Sequence, residues 1–184
     1  MSQPPATLGA DLRALRKSRG LTLTDLAEKL DVSVGWLSQV ERDISTPDTL
    51  SLRRLADQLD VPLSILAGGG SGNERGLIVR ANNRRSIGMR VEGLSESLLS
   101  PDLTDDFEMV HSRFSPGAKL TEPVRRPTQE LAYMVEGKLD IWLDDQKFTV
   151  SAGDSFRVRN QNLRWANPYA RAAVAVWVIA PPVY

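Results

Sequence analysis

The apolar pattern of this chain changes period once, at the run Ala67–Asn73, AGGGSGN. Before it, apolar residues recur at helical spacing: Leu8, Leu12 and Leu15; Leu23, Leu26, Ala27 and Leu30; Val34, Leu37 and Val40; Leu52, Leu55, Ala56 and Leu59. Pro62–Leu66 reads as a short fifth helix with proline in its first turn. After the run come short β-rich segments at Leu77–Arg80, Glu108–Phe114, Leu131–Val135, Leu139–Leu143, Lys147–Val150 and Ala173–Ile179. Turn signals separate them, such as Ser115-Pro116-Gly117, Glu136-Gly137-Lys138 and Ala152-Gly153-Asp154. Three glycines followed by Ser-Gly-Asn favour neither helix nor strand. The pattern predicts an all-α bundle of about five helices over residues 1–67, a flexible linker at 68–75, and an all-β barrel over 76–184.

Within the helical half, Leu21–Arg42 reads LTLTDLAEKLDVSVGWLSQVER. Thr22 can cap one short amphipathic helix, with Asp25 placing a carboxylate at the positive end of its dipole. Asp31-Val32 turns the chain, and Ser33 can cap the next helix. This is the sequence form of a helix-turn-helix, so double-stranded DNA is the expected partner. Residues at the start of the second helix reach base edges, which selects Val34, Gly35 and Trp36, with Ser38, Gln39 and Arg42 further along. Gln39 suits adenine and Val34 a thymine methyl. Arg42, Ser38 and Lys17 suit phosphates, and Thr22, Thr24 and Ser33 complete the expected DNA-contacting set. The plainer alternative is a solvated face, with Trp36 half-buried against the bundle.

Charge adds little to this expectation. The formal net charge is +0. Through Ala67 there are 8 Lys and Arg against 9 Asp and Glu, so 8 − 9 gives −1. A DNA-binding surface must then come from arrangement rather than bulk charge. The chain has no cysteine, hence no disulfide framework and no thiolate metal site. No apolar run is long enough to span a bilayer, and MSQPPATLGADL lacks a signal-peptide layout. A cytoplasmic location without a membrane partner is expected.

The residues from Leu8 to Leu66 resemble the Xre/lambda-repressor-like helix-turn-helix regulators. Arg16, Gly20-Leu21-Thr22, Leu26-Ala27, Val32-Ser33, Leu37-Ser38, Val40-Glu41, Pro47, Leu52 and Ala56 carry the resemblance. It implies an ion pair between Arg16 in the first helix and Glu41 at the end of the third. Leu23 stands where that family often has a backbone-contacting Gln, and Asp43 stands where it usually has Gly.

From Glu108 onward the chain resembles a cupin, a double-stranded β-barrel or jelly roll. One motif runs from Gly117 through Pro123-Val124-Arg125 and Glu130 to Gly137; a second runs from Gly153-Asp154 to Arg164-Trp165-Ala166-Asn167. The resemblance implies a metal site of three His and a Glu. Here the His positions fall on Pro123, Arg125 and Arg164 (or Leu163), and only Glu130 remains. That set suits no tight transition-metal site, so neither metal nor cofactor is expected, and no catalytic residue. Arg125 and Glu130, joined by Arg164, are instead expected to point into the barrel, where a guanidinium beside a carboxylate suits an amino acid, a polyamine or a small carboxylate. The alternative is a salt bridge closing an empty barrel. His111, the only histidine, reads as a half-buried strand residue, a pocket contributor or a pH-sensitive group. Trp142, Phe156, Trp165 and Trp177 read as core or interface.

The combined order resembles regulators with an N-terminal Xre-type domain and a C-terminal cupin sensor, the putrescine-utilisation-repressor-like group. The expectation is a homodimeric, non-enzymatic transcriptional regulator, a repressor, controlled by a small molecule in a metal-free barrel. Two rivals remain: a metal-dependent cupin enzyme that keeps a helix-turn-helix domain, as an iron-dependent phosphonate epoxidase type does, and a regulator whose barrel only dimerises.

Overall fold

The computed structural model describes residues 7–67, 74, 76–88 and 90–183. Of the expected linker at 68–75, only Glu74 is among the described residues. The chain divides into two compact units. The first takes in the described residues through Ile87 together with Ser100–Asp105; the second comprises Gly88–Leu99 and Asp106–Val183.

The first unit is built on helices α1 (Leu8–Ser18), α2 (Leu23–Leu30), α3 (Val34–Glu41), α4 (Thr49–Gln58) and α5 (Leu63–Ala67). Each of the first four starts at a side-chain cap, Thr7, Thr22, Ser33 and Asp48, whose oxygen accepts from a backbone N–H left open by the first turn. Their apolar stripes meet in one core. Leu12, Leu15, Leu26, Leu37, Leu55, Leu59 and Ile65 are 1% exposed or less. Each such side chain contributes about 1.5–3 kcal/mol of burial. Leu77–Arg80, expected as a strand, is not one: Leu77 and Ile78 bond back to the Glu74 carbonyl in a turn. Leu77 is 75% exposed, so the apolar run there lacks the buried face that sustains a strand.

The strands are β1 (Arg85–Gly88), β2 (Leu94–Leu98), β3 (Glu108–Phe114), β4 (Lys119–Val124), β5 (Gln129–Glu136), β6 (Lys138–Leu143), β7 (Gln146–Ser151), β8 (Ser155–Arg159), β9 (Leu163–Ala166) and β10 (Ala173–Ala180). In the second unit, one antiparallel sheet has the order β2-β3-β10-β5-β8 and the other β4-β9-β6-β7. Their inner faces pack as a jelly-roll barrel, with Phe114 of β3 edge-on to Trp165 of β9 at 4.7 Å between ring centroids. Gly137, at φ 76°, lets β5 turn into β6, and a Cβ there would collide with the backbone of Ala172 and Ala173. Asn167 is fully buried and saturated: its amide donates to the Phe114 and Arg171 carbonyls, and its side-chain oxygen accepts from Tyr169 N–H.

Register decides which side chains face the barrel interior, because directly paired residues share a face. Glu130 pairs with Ile179, which pairs with Glu108; Ala132 pairs with Trp177, which pairs with Val110; Met134 pairs with Ala175, which pairs with Ser112. All of these are buried. The alternate residues, among them Met109, His111, Leu131, Tyr133, Val176 and Val178, lie on the outer face.

Candidate nucleic-acid interface and barrel interior

The α2–turn–α3 unit is fixed by its caps. Thr22 Oγ1 accepts from Asp25 N–H at 3.1 Å, and Asp25 Oδ2 accepts from Thr22 N–H at 2.8 Å, a reciprocal box. These bonds hold the Asp25 carboxyl below its usual range. Asp31 closes α2 in the left-handed region at φ 53°, and Ser33 Oγ accepts from Trp36 N–H at 3.1 Å to open α3. The first turn of α3 carries no acid, so its positive dipole end is uncompensated by side-chain charge, a setting that favours phosphate.

Leu37 and Val40 bury one side of α3. On the other side Ser38 and Gln39 each lie three or four residues from both Gly35 and Arg42, so the four fall on one side of the helix. Gly35, Gln39 and Arg42 are exposed and Ser38 is half-buried; Val34, at the helix start, is 41% exposed. Arg42 Nε donates to the Ser38 carbonyl at 3.1 Å, which lays its guanidinium along this face. Thr22, Thr24, Ser33 and Lys17 are exposed at neighbouring helix ends. Trp36 departs from the row: it is half-buried and lines a small recess with Leu30, Val32, Ser51, Arg54 and Leu55.

Helix α1 grips the end of α3. Arg16 forks onto Glu41, with Nε–Oε1 at 2.6 Å and Nη2–Oε2 at 2.9 Å, while Nη1 donates to the Leu21 carbonyl at 2.7 Å. Hydrogen bonding to Glu41 raises the Arg16 pKa further, which keeps its guanidinium charged. Asp43 adopts φ 57° after α3 and its Oδ1 accepts from Gly9 N–H at 2.9 Å. The Asp in place of the expected Gly thus adds a tether as well as a turn.

The four residues expected to line the barrel are not brought together. Glu130 faces inward, 4% exposed, accepting from Thr128 Oγ1 at 2.8 Å and lying 3.5 Å from Arg126 Nη1. Arg125, expected to point inward, is exposed, and its Nε donates to Asn160 Oδ1 at 3.0 Å. It follows the end of β4, so the strand alternation that would aim it inward has ceased. Arg164 lies on the outer face of the other sheet, its guanidinium 5.3 Å from the Trp142 ring, paired strand to strand with that residue. His111 is half-buried on the outer face beside Val176.

The interior holds polar residues that sequence reasoning passed over: Glu108, Ser112 and Glu96, with Arg126 reaching Glu130. Glu96 Oε1 accepts from Ser112 Oγ at 2.8 Å. Glu108 is 2% exposed, and burial pushes its carboxyl above the usual range against the pull of Val183 N–H, Arg90 and Arg126. The signal was present in the sequence: Glu108 and Ser112 are in phase with Val110 and Phe114 on a two-residue period. The donors at the cupin metal positions do not fit a transition metal, since Pro123 offers none and Arg125 and Arg164 are cations. Among the described residues, no group of three or more His, Cys, Asp or Glu is placed to hold a metal. No described helix is long and apolar enough to cross a membrane.

Comparison with known proteins assigns both units. Residues 12–66 match a helix-turn-helix family model and residues 110–179 a cupin-domain model. The chain is 27% identical over 151 residues to the HTH-type transcriptional regulator SutR of Escherichia coli K12, covering 82% of this chain and 80% of that protein. It is 37% identical over 62 residues to the immunity repressor protein of Bacillus phage phi105, covering 34% of this chain and 43% of the repressor. The solved structure of KdgF from Halomonas sp. shares the barrel fold, with a TM-score of 0.51, 19% identity, and coverage of 59% of this chain and 96% of that one.

Proposed function

We propose that the chain, which matches a helix-turn-helix model and a cupin-domain model and resembles a transcriptional regulator along most of its length, is a DNA-binding transcriptional regulator, a cytoplasmic, homodimeric repressor whose operator affinity is set by a small molecule in the barrel. The observation that carries the DNA-reading part is the exposed row Gly35, Ser38, Gln39 and Arg42 on a helix whose opposite side is buried and tethered. Gln39 reads base edges, and Arg42, Ser38, Lys17, Thr22, Thr24 and Ser33 meet the backbone. Val34 and Gly35 sit closest to the groove floor, and half-buried Trp36 contributes its exposed edge. Two copies present two such helices to half-sites about 34 Å apart. The test is a gel shift on the duplex upstream of this gene. Gln39→Ala with Arg42→Ala is expected to weaken binding at least tenfold, since one good base contact alone contributes about 1–3 kcal/mol. Unchanged affinity would remove the assignment.

For the effector, the inward Glu108 and Glu130 with Arg126 favour an amine-bearing molecule, an amino acid or polyamine, over a simple carboxylate. Thermal-shift titration with alkyl diamines, amino acids and small dicarboxylates tests this. A diamine or amino acid is expected to raise the barrel's melting temperature in the native chain and not in Glu130→Gln. Stabilisation by dicarboxylates alone would reverse the preference. Stoichiometric iron, manganese or zinc in the purified protein would favour the metal-dependent enzyme instead.

A further inference from the structure

We propose that Arg85 and the Ser100–Asp105 loop position the recognition helix α3, acting through α1. The inference rests on the reading of α3 as the DNA-contacting element. Asp11 lies in the first turn of α1. Asp11 is 2% exposed, and its Oδ2 lies 2.9 Å from Arg85 Nη2, itself on a 6%-exposed residue. Asp11 Oδ1 accepts from Leu103 N–H at 2.9 Å. All three residues belong to the first compact unit, although Arg85 and Leu103 follow the glycine run in sequence.

Two residues before Asp11, the same turn of α1 meets the end of α3. Gly9 N–H donates to Asp43 Oδ1, and a Cβ on Gly9 would stand 2.6 Å from the Val40 carbonyl oxygen and 2.7 Å from that of Glu41. Arg16, further along α1, forks onto Glu41. One 11-residue helix is therefore held by Arg85 and Leu103 at the turn that also holds the C-terminal turn of α3. That turn of α3 carries Gln39 and Arg42.

The pair is poorly built for stability alone. Arg85 Nη1 and Arg84 Nε are buried without a hydrogen-bond partner. An ion pair left partly unsatisfied contributes less than a well-packed apolar pair would, and its directional bonds fix geometry instead. Both holding segments are continuous with strands: Arg85 opens β1, and Ser100–Asp105 joins β2 to β3, which carries Glu108 and Ser112. Leu103 lies five residues after the end of β2 and five before the start of β3.

The test uses the full chain and the upstream duplex. Arg85→Gln leaves Asp11 buried without its countercharge, and Asp11→Leu with Arg85→Met replaces the pair by an apolar one of similar bulk. Both are expected to lose about fivefold or more in affinity at a temperature where circular dichroism shows them folded, the scale of couplings between sites. Arg85→Lys, which keeps the cation, is expected to recover most of that loss. Amide exchange at Val40–Arg42 is expected to quicken in the first two variants and return in the third. Where Arg85→Gln fails to fold, the apolar pair decides. A folded apolar-pair variant with native affinity and native exchange at Val40–Arg42 overturns the proposal, leaving the pair as core filling. Native affinity in Gln39→Ala with Arg42→Ala would instead fail the DNA reading itself, so the two failures are separable.

Discussion

Glu41 ends α3, yet its carboxylate turns back to Arg16, with side chains only 6% and 10% exposed. Removing one partner strands the other charge, so Arg16→Ala is expected to cost about 3 kcal/mol, read as a lower unfolding midpoint of the helical unit. Gly9→Ala is expected to cost about 1–3 kcal/mol by driving a methyl into the Val40 and Glu41 carbonyls, and to weaken duplex binding by the same displacement. Glu108 gives a pH signature. Its folded pKa is raised above the ordinary 4.5, so between these values the folded barrel holds a proton that the unfolded chain has lost. Stability then falls as pH rises through that window. Glu108→Gln is expected to flatten this fall in a series of melting curves taken across it. The inward glutamates also show where residue-level reading stopped. Glu130 was legible because it lies within β5 in a spaced motif, whereas Arg125, one residue past the end of β4, escapes the strand's alternation.

At the scale of elements, the first four helices were legible because each has a cap, a single apolar stripe and a stop within a dozen residues. Ser33→Ala, which takes the acceptor from Trp36 N–H, is expected to cost about 1 kcal/mol and to loosen the first turn of α3; urea unfolding measures it. The strands were read unevenly. The long ones, β3, β5, β6 and β10, announce themselves by β-rich composition. Short β1, β2, β8 and β9 do not, since RSIG, LSESL, SFRVR and LRWA hold too few apolar residues to show a period. They exist because paired neighbours complete their ladders, a tertiary cause no local window contains. Leu77–Arg80 fails for the converse reason, with suitable residues but no buried face.

For the whole molecule, the outer face of the larger sheet bears on assembly. Leu131, Tyr133 and Val178 stand 49%, 52% and 37% exposed around Met109 and Val176 in adjacent register, an apolar group of the kind that marks a contact surface. Leu131→Glu with Tyr133→Glu is expected to turn the proposed dimer into a monomer by sedimentation and to weaken operator binding with it; a dimer of unchanged mass would place the pairing elsewhere. The other sheet's outer face is occupied by its own contacts, Lys147 and Arg164 over Trp142 and Lys147 on Asp140. The discontinuous make-up of the helical unit bears on heredity. Arg85 and Leu103 lie far down the chain from the Asp11 they hold. A single genetic crossover at the glycine run would give the reading head of one regulator the clasp of another. Sensors and readers of this kind should therefore be inherited as matched sets, and a workable hybrid needs the donor's residues at 84–87 and 100–105 carried along with its helices.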